Sequence, residues 1–187
     1  MIVSTRNEHK LRELREALPG IELEPLPEEV ELPPETGDTF EDNALLKARH
    51  AARAANLPAL ADDSGIEVDA LGGRPGVYSA RYAGEPKSDA RNNEKVIADL
   101  AAHADKSAYY YCVLVYVRHA DDPQPVIADG SWHGEIVAEA RGSNGFGYDP
   151  HFLVPALGKT AAELTPQEKN AVSHRGQALR ALVGKLK

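Results

Sequence analysis

The sequence predicts an α/β protein built on a mixed β-sheet flanked by helices. Three observations carry that reading. Strand and helix signals alternate along the whole chain instead of segregating into an all-β and an all-α part. The apolar run AYYYCVLVYV, 108–117, has the length of a buried strand and falls far short of the roughly 20 residues that a membrane-spanning helix needs. A composition of 42% hydrophobic and 27% charged residues over 187 positions is that of a globular chain. Such a chain buries one substantial core, or one core split into two lobes, so residues 1–187 read as a single domain.

The elements follow in order. Residues 2–4 read as a short buried strand. Asn7 then caps a helix with Leu11, Leu14 and Leu18 on one face, ended by Pro19 and Gly20. IELEPL, 21–26, reads as a strand and 27–38 as a loop rich in Pro and Glu. Thr39 opens TFED, a capping-box-like start with aspartate at the position usually held by Glu, and the Ala- and Leu-rich helix behind it runs to about Asn56. Residues 58–61 and 66–71 read as two short strands, which puts Asp62 and Asp63 at a strand's C-terminal end. A polar-faced helix carrying Val96, Ile97 and Leu100 covers 88–103, and two or three long strands fill 107–140. TPQE is a capping box with Pro at the first helical position; after its helix come SHRG and a terminal helix rich in Leu and Lys.

Charge and cysteine content narrow the function. A net charge of −8 repels polyanions, so extended nucleic-acid binding, which needs many Lys and Arg contacts to phosphate, is not expected. A small anionic ligand would need local cations or a metal. No membrane partner is expected, and MIVSTRNEHK lacks the apolar core of a secretory signal. The single cysteine, Cys112, excludes internal disulfides and multi-cysteine zinc sites, which fits a reducing, cytoplasmic setting.

Five stretches carry candidate chemistry. STRNEHK, 4–10, joins a strand to a helix, so free backbone N–H groups and the helix dipole point at one spot with Lys10 one turn in; an ordinary strand-to-helix connection with a solvated Lys stays open as its alternative. Glu35, between prolines and a Gly turn, is a carboxylate of restricted freedom, suited to a hard cation. Asp62 and Asp63, followed by Ser64 and Gly65, repel one another unless a cation neutralises them, and Mg²⁺ prefers one or two carboxylates plus substrate phosphates. A turn in which an Asp caps backbone N–H groups explains the same pair without a metal. RGSNGFGYDPHF, 141–152, offers Phe146 and Tyr148 among glycines, where an aromatic stacks on a flat base or a loop merely turns. Lys169, His174 and Arg175 lie at a helix junction.

TRNEHK, ETGDTFEDNALLKA, ADDSGIEVDALGGRPGVYSARYAG, GFGYDP and EKNAVSHRGQAL occur in one order over nearly the whole chain. In that combination the sequence resembles the non-canonical purine nucleoside triphosphate pyrophosphatases, the inosine and xanthosine triphosphate house-cleaning enzymes. The resemblance implies an elongated mixed sheet with helices in two lobes, a nucleotide cleft between the lobes, and a homodimer. It implies Mg²⁺-dependent hydrolysis of ITP, dITP and XTP to the monophosphate and pyrophosphate, keeping deaminated purines out of DNA and RNA.

By the same resemblance, Thr5, Arg6, Asn7, Glu8, His9, Lys10 and Lys47 would hold the triphosphate. Glu35 and Asp63 would engage the metal, and Asp63 would also be the catalytic base. Ser64 would contact substrate. Phe146, Gly147, Tyr148, Asp149, Lys169, His174 and Arg175 would recognise the base. Family members often carry Glu where Asp42 stands, so Asp42 is left out of the metal set. A pyrophosphatase of modified pyrimidine nucleotides and a nucleotide sensor without turnover are the competing readings; a serine hydrolase is a distant third, since the GxSxG elbow is absent.

Overall fold

The computed structural model describes residues 1–186. Its seven strands form one sheet in the order β2-β1-β3-β4-β5-β6-β7. They are β1 (Ile2–Val3), β2 (Glu24–Pro25), β3 (Ala59–Val68), β4 (Ser107–Val117), β5 (Val126–Ile136), β6 (Phe152–Val154) and β7 (Lys159–Thr160). β1 pairs in parallel with β2 and β3, whereas β6 pairs antiparallel with β5 and β7, so the sheet is mixed as the sequence predicts. Five α-helices accompany it: α1 (Glu8–Ala17), α2 (Phe40–Ala55), α3 (Asp89–Leu100), α4 (Pro166–Val172) and α5 (His174–Leu186). None is long and apolar enough to cross a membrane.

The described chain divides into two compact units, each assembled from separated segments. The first takes residues 1–63, 112–130 and 174–186, and the second takes 64–111 and 131–173. β3, β4 and β5 therefore each contribute residues to both units.

In the first unit the apolar face predicted for α1 is buried. Leu11, Leu14 and Leu18 pack with Val3, Leu60, Cys112, Leu114, Leu179 and Leu182. α1 lies against α5. Its start is fixed by Asn7, whose side chain accepts hydrogen bonds from the backbone N–H groups of His9 and Lys10 at 3.0 and 3.2 Å. Thr39 caps α2 in the same manner, and Asn56 closes that helix in the left-handed conformation (φ 51°). β5 comes so near α5 that a Cβ on Gly130 would stand 2.3 Å from the His174 carbonyl oxygen. Only glycine permits that approach.

The second unit has its own core, with Ile66, Val68, Val96, Leu100, Tyr110, Trp132 and Phe152 among its buried residues. α3 starts on the cap Ser88 and ends at Leu100, three residues earlier than the predicted span. α4 opens on the predicted capping box, with Thr165 N–H bonded to Glu168 and Glu168 N–H to the Thr165 hydroxyl.

Two expectations are corrected. The strand read over 21–26 shrinks to Glu24–Pro25, since Pro25 and Pro27 lack the N–H a ladder needs and β2 is an edge strand. The two short strands read over 58–61 and 66–71 are one strand, β3, running through Asp62 and Asp63 to Val68. Gly65 does not adopt the positive φ that would have turned the chain. The two aspartates thus lie in mid-strand, not at a strand's end.

Candidate active site

Mid-strand placement changes what the acidic pair can do. Successive side chains of a strand point to opposite faces, so Asp62 and Asp63 diverge and each meets its own cations. Both are buried.

Asp63 Oδ1 accepts a hydrogen bond from Lys47 Nζ at 2.8 Å, and the same nitrogen lies 2.9 Å from Glu35 Oε1. α2 delivers Lys47 from its buried side, next to Ala44, Ala48 and Ala51. Burial works against the Lys47 ammonium, but attraction by Asp63, Asp62 and Glu35 outweighs it and raises the pKa above 10.5. Burial pushes the Asp63 carboxyl above its ordinary value, opposed by Lys47. Lys47 is therefore a held cation.

Asp62 Oδ2 accepts from Lys10 Nζ at 2.8 Å and from Arg175 Nη2 at 3.1 Å. Burial disfavours its charge, yet Lys10, Arg175 and Lys47 together hold the carboxyl well below the usual aspartate range. Arg175, 1% exposed, also donates through Nη1 to Glu13 on α1. Neither Glu13 nor its pairing is legible in the sequence, where 162 positions separate it from Arg175.

The other residues of the strand-to-helix turn have defined places. Thr5 is buried and its hydroxyl accepts from Asn7 N–H at 3.1 Å, which tightens the turn. Arg6 is exposed and donates to the carbonyl oxygens of Glu28 and Val30, tying down the loop behind it. Glu8 and His9 are exposed in the first turn of α1, and Arg12 contacts the His9 ring. Asp42 binds the Thr39 hydroxyl at 2.7 Å, a capping duty that accounts for it without a metal.

A second cluster is built entirely in the second unit. Asp149 is buried and accepts from Lys169 Nζ at 2.6 Å, Tyr110 OH at 3.1 Å and the Phe146 backbone N–H at 2.9 Å. The Lys169 ammonium sits 5.0 Å from the centre of the half-buried Phe146 ring, a cation–π distance. Gly147 is clamped at both ends, its N–H by Asp89 and its carbonyl by Asn93. A Cβ on Gly145 (φ 75°) would fall 2.0 Å from Asp149 Oδ2. Tyr148, by contrast, is buried with its hydroxyl on the Ser79 carbonyl, so Phe146 is the half-exposed aromatic of this loop. Asp89, Asn93 and Tyr110 support the loop and were not singled out in the sequence, having no motif spacing to mark them.

Ser64 follows Asp63 on β3 and is partly exposed, and His174 is buried as the first residue of α5.

Metal ligation is tested by the convergence on Lys47. Two carboxylate oxygens from different elements, Glu35 Oε1 and Asp63 Oδ1, approach one cationic centre within 2.9 Å. Among the described residues no group of three or more His, Cys, Asp or Glu is placed to enclose an ion. One or two carboxylates with the remaining positions left to phosphate and water is the donor set Mg²⁺ takes, so the residues fit.

The architecture is that of an α/β protein with a mixed sheet and two clusters of buried, paired charge. The profile of the Ham1 family matches residues 1–185, and the chain belongs to that family. It is similar to the dITP/XTP pyrophosphatase of Ralstonia nicotianae, 60% identical over 193 residues that span 100% of this chain and 96% of that protein. The dITP/XTP pyrophosphatase of Chromobacterium violaceum is 56% identical over 190 residues, with the same coverage. The solved structure of a HAM1 protein from Coxiella burnetii shares the fold with a TM-score of 0.91 at 49% identity, covering 99% of this chain and 96% of that one.

Proposed function

We propose that the chain is a Mg²⁺-dependent pyrophosphatase of ITP, dITP and XTP. The observation that carries this reading is the convergence of Glu35 and Asp63 on Lys47, with Lys10 held by the neighbouring Asp62. The full-length similarity to proteins named dITP/XTP pyrophosphatase supports it.

Each group has a task. Lys10 and Lys47, backed by the N-terminal turn of α1, hold phosphate charge. Asp63 takes the proton of the water that attacks the α-phosphorus; the α–β anhydride bond breaks as the new P–O bond forms, releasing pyrophosphate and the monophosphate. Glu35 and Asp63 would hold Mg²⁺, which when bound neutralises triphosphate charge and makes nearby water more acidic.

Phe146 stacks on the base, and Lys169, fixed by Asp149, donates to the C6 keto oxygen shared by hypoxanthine and xanthine. Adenine presents an amino donor there, so donor faces donor. The remaining residues of the two clusters position these groups: Thr5, Arg6, Asn7, Glu8 and His9 shape the turn, Ser64 extends the strand beyond Asp63, and Gly147, Tyr148 and His174 fix the loop and the start of α5. Arg175, held between Glu13 and Asp62, acts on the nucleotide through those partners.

We further propose one functional domain, since neither compact unit is a continuous segment. The family resemblance supports a cytoplasmic homodimer that clears deaminated purines from the nucleotide pool.

The test is direct. The protein is incubated with ITP, dITP, XTP, ATP, GTP and dTTP, with Mg²⁺ or with excess EDTA, and every product is identified. Monophosphate and pyrophosphate from the first three nucleotides, with Mg²⁺ only, is the expected result. Release of orthophosphate, or undiminished turnover in EDTA, overturns the reading.

A further inference from the structure

Glu13, Arg175, Asp62 and Lys10 form a continuous run of alternating charge. Arg175 Nη1 is on Glu13, Arg175 Nη2 is on Asp62 Oδ2, and Lys10 Nζ reaches that same oxygen at 2.8 Å. The four side chains are 10%, 1%, 1% and 16% exposed, so Lys10 is the end of the run most open to a ligand. Glu13 and Lys10 lie three residues apart on α1, which sets them on neighbouring positions of that helix.

We infer that Glu13 is a positioning residue that sets how strongly Lys10 is available to phosphate. Arg175 is shared between two carboxylates. While Glu13 holds one end of the guanidinium, Asp62 receives only part of its charge and keeps Lys10 as a partner. Without the Glu13 charge, Arg175 turns more of its charge to Asp62, Asp62 needs Lys10 less, and the group carries one more positive charge. Both changes favour a polyphosphate at Lys10. Glu13 touches no reacting atom in this scheme. It acts through Arg175 and Asp62, and limits the affinity of the enzyme for its anionic substrate and product.

The inference rests on the pyrophosphatase reading for its meaning, and its test does not need turnover. Inorganic tripolyphosphate is titrated by calorimetry, at low salt and with Mg²⁺, into the wild type, Glu13→Gln and Glu13→Asp. Glu13→Gln should bind about tenfold more tightly, the size expected for removing one charge at roughly 8 to 10 Å in a partly screened site. Glu13→Asp, which keeps the charge, should stay within about twofold of wild type. On ITP, KM of Glu13→Gln should fall by the same factor with kcat nearly unchanged, as for an interaction made equally in ground and transition states.

Equal affinity of Glu13→Gln and wild type overturns the inference, as does equal weakening in both variants, which marks a purely structural role. If Glu13→Gln does not fold, Glu13→Met carries the same expectation. Failure of both to fold while Glu13→Asp folds makes Glu13 a structural residue and overturns it too. Absence of ITP turnover by the wild type fails the pyrophosphatase reading instead, leaving the calorimetric result to stand or fall alone.

Discussion

Lys47 Nζ lies 2.8 Å from Asp63 Oδ1, and both side chains are less than 10% exposed. An ion pair so far from water gains from its geometry only while both members are present. Removing one leaves a buried charge without its partner. Lys47→Met should therefore destabilise the fold by about 3 kcal/mol. Urea denaturation at neutral pH measures it; a loss below about 1 kcal/mol would show that water solvates Asp63 in place of the pairing.

Asp63→Asn keeps the side chain's shape and its place on β3 while removing charge and basicity. ITP turnover should fall by about a hundred- to ten-thousandfold, the range of a positioned acid–base group, with the circular dichroism spectrum preserved. Turnover near the wild-type rate would move the role of base elsewhere.

Asp62 gives a pH signature. Its folded-state pKa lies below the reference value of 3.8, because the attraction of Lys10, Arg175 and Lys47 overcomes the burial that would raise it. The carboxylate thus contributes stability that is fully present above the unfolded-state pKa and is lost as pH falls through the folded-state value. The stability gap between wild type and Asp62→Asn should be constant near neutral pH and narrow progressively below about pH 4. A gap independent of pH down to acid unfolding contradicts this.

Cys112 is fully buried in the middle of β4, and burial pushes its thiol up to about 12. Its thiolate is scarce at pH 8, so the folded protein should resist iodoacetamide while the urea-unfolded chain is alkylated quickly. Rapid labelling of the native protein, read by mass spectrometry, would mean that β4 opens on the labelling timescale.

Phe146→Ala removes the half-exposed aromatic but leaves the Asp149–Lys169 pair in place. Base stacking is worth about 1–3 kcal/mol and does not read the C6 substituent, so KM should rise for ITP, XTP and ATP together. A rise confined to ITP and XTP would instead give Phe146 a part in discrimination.

What the sequence determined by itself was local. Asn7 followed by leucines at 11, 14 and 18 specifies a capped amphipathic helix, and Thr165 with Glu168 specifies a capping box, because each signal lies within a turn or two and the backbone satisfies it there. The family motifs also marked most of the candidate site, since Lys10, Glu35, Lys47 and Asp63 each stand in a short recognisable segment. Only the tertiary structure decided how these groups pair. Whether the chain breaks at Ser64 and Gly65 depends on β3 finding a place in the sheet, and its continuity sends Asp62 and Asp63 to opposite faces. Glu13 meets Arg175 because Leu11, Leu14 and Leu18 bury α1 in the same core as Leu179 and Leu182 of α5. Charge pairing of this kind is set by where packed elements bring their side chains, and a linear sequence does not carry that distance.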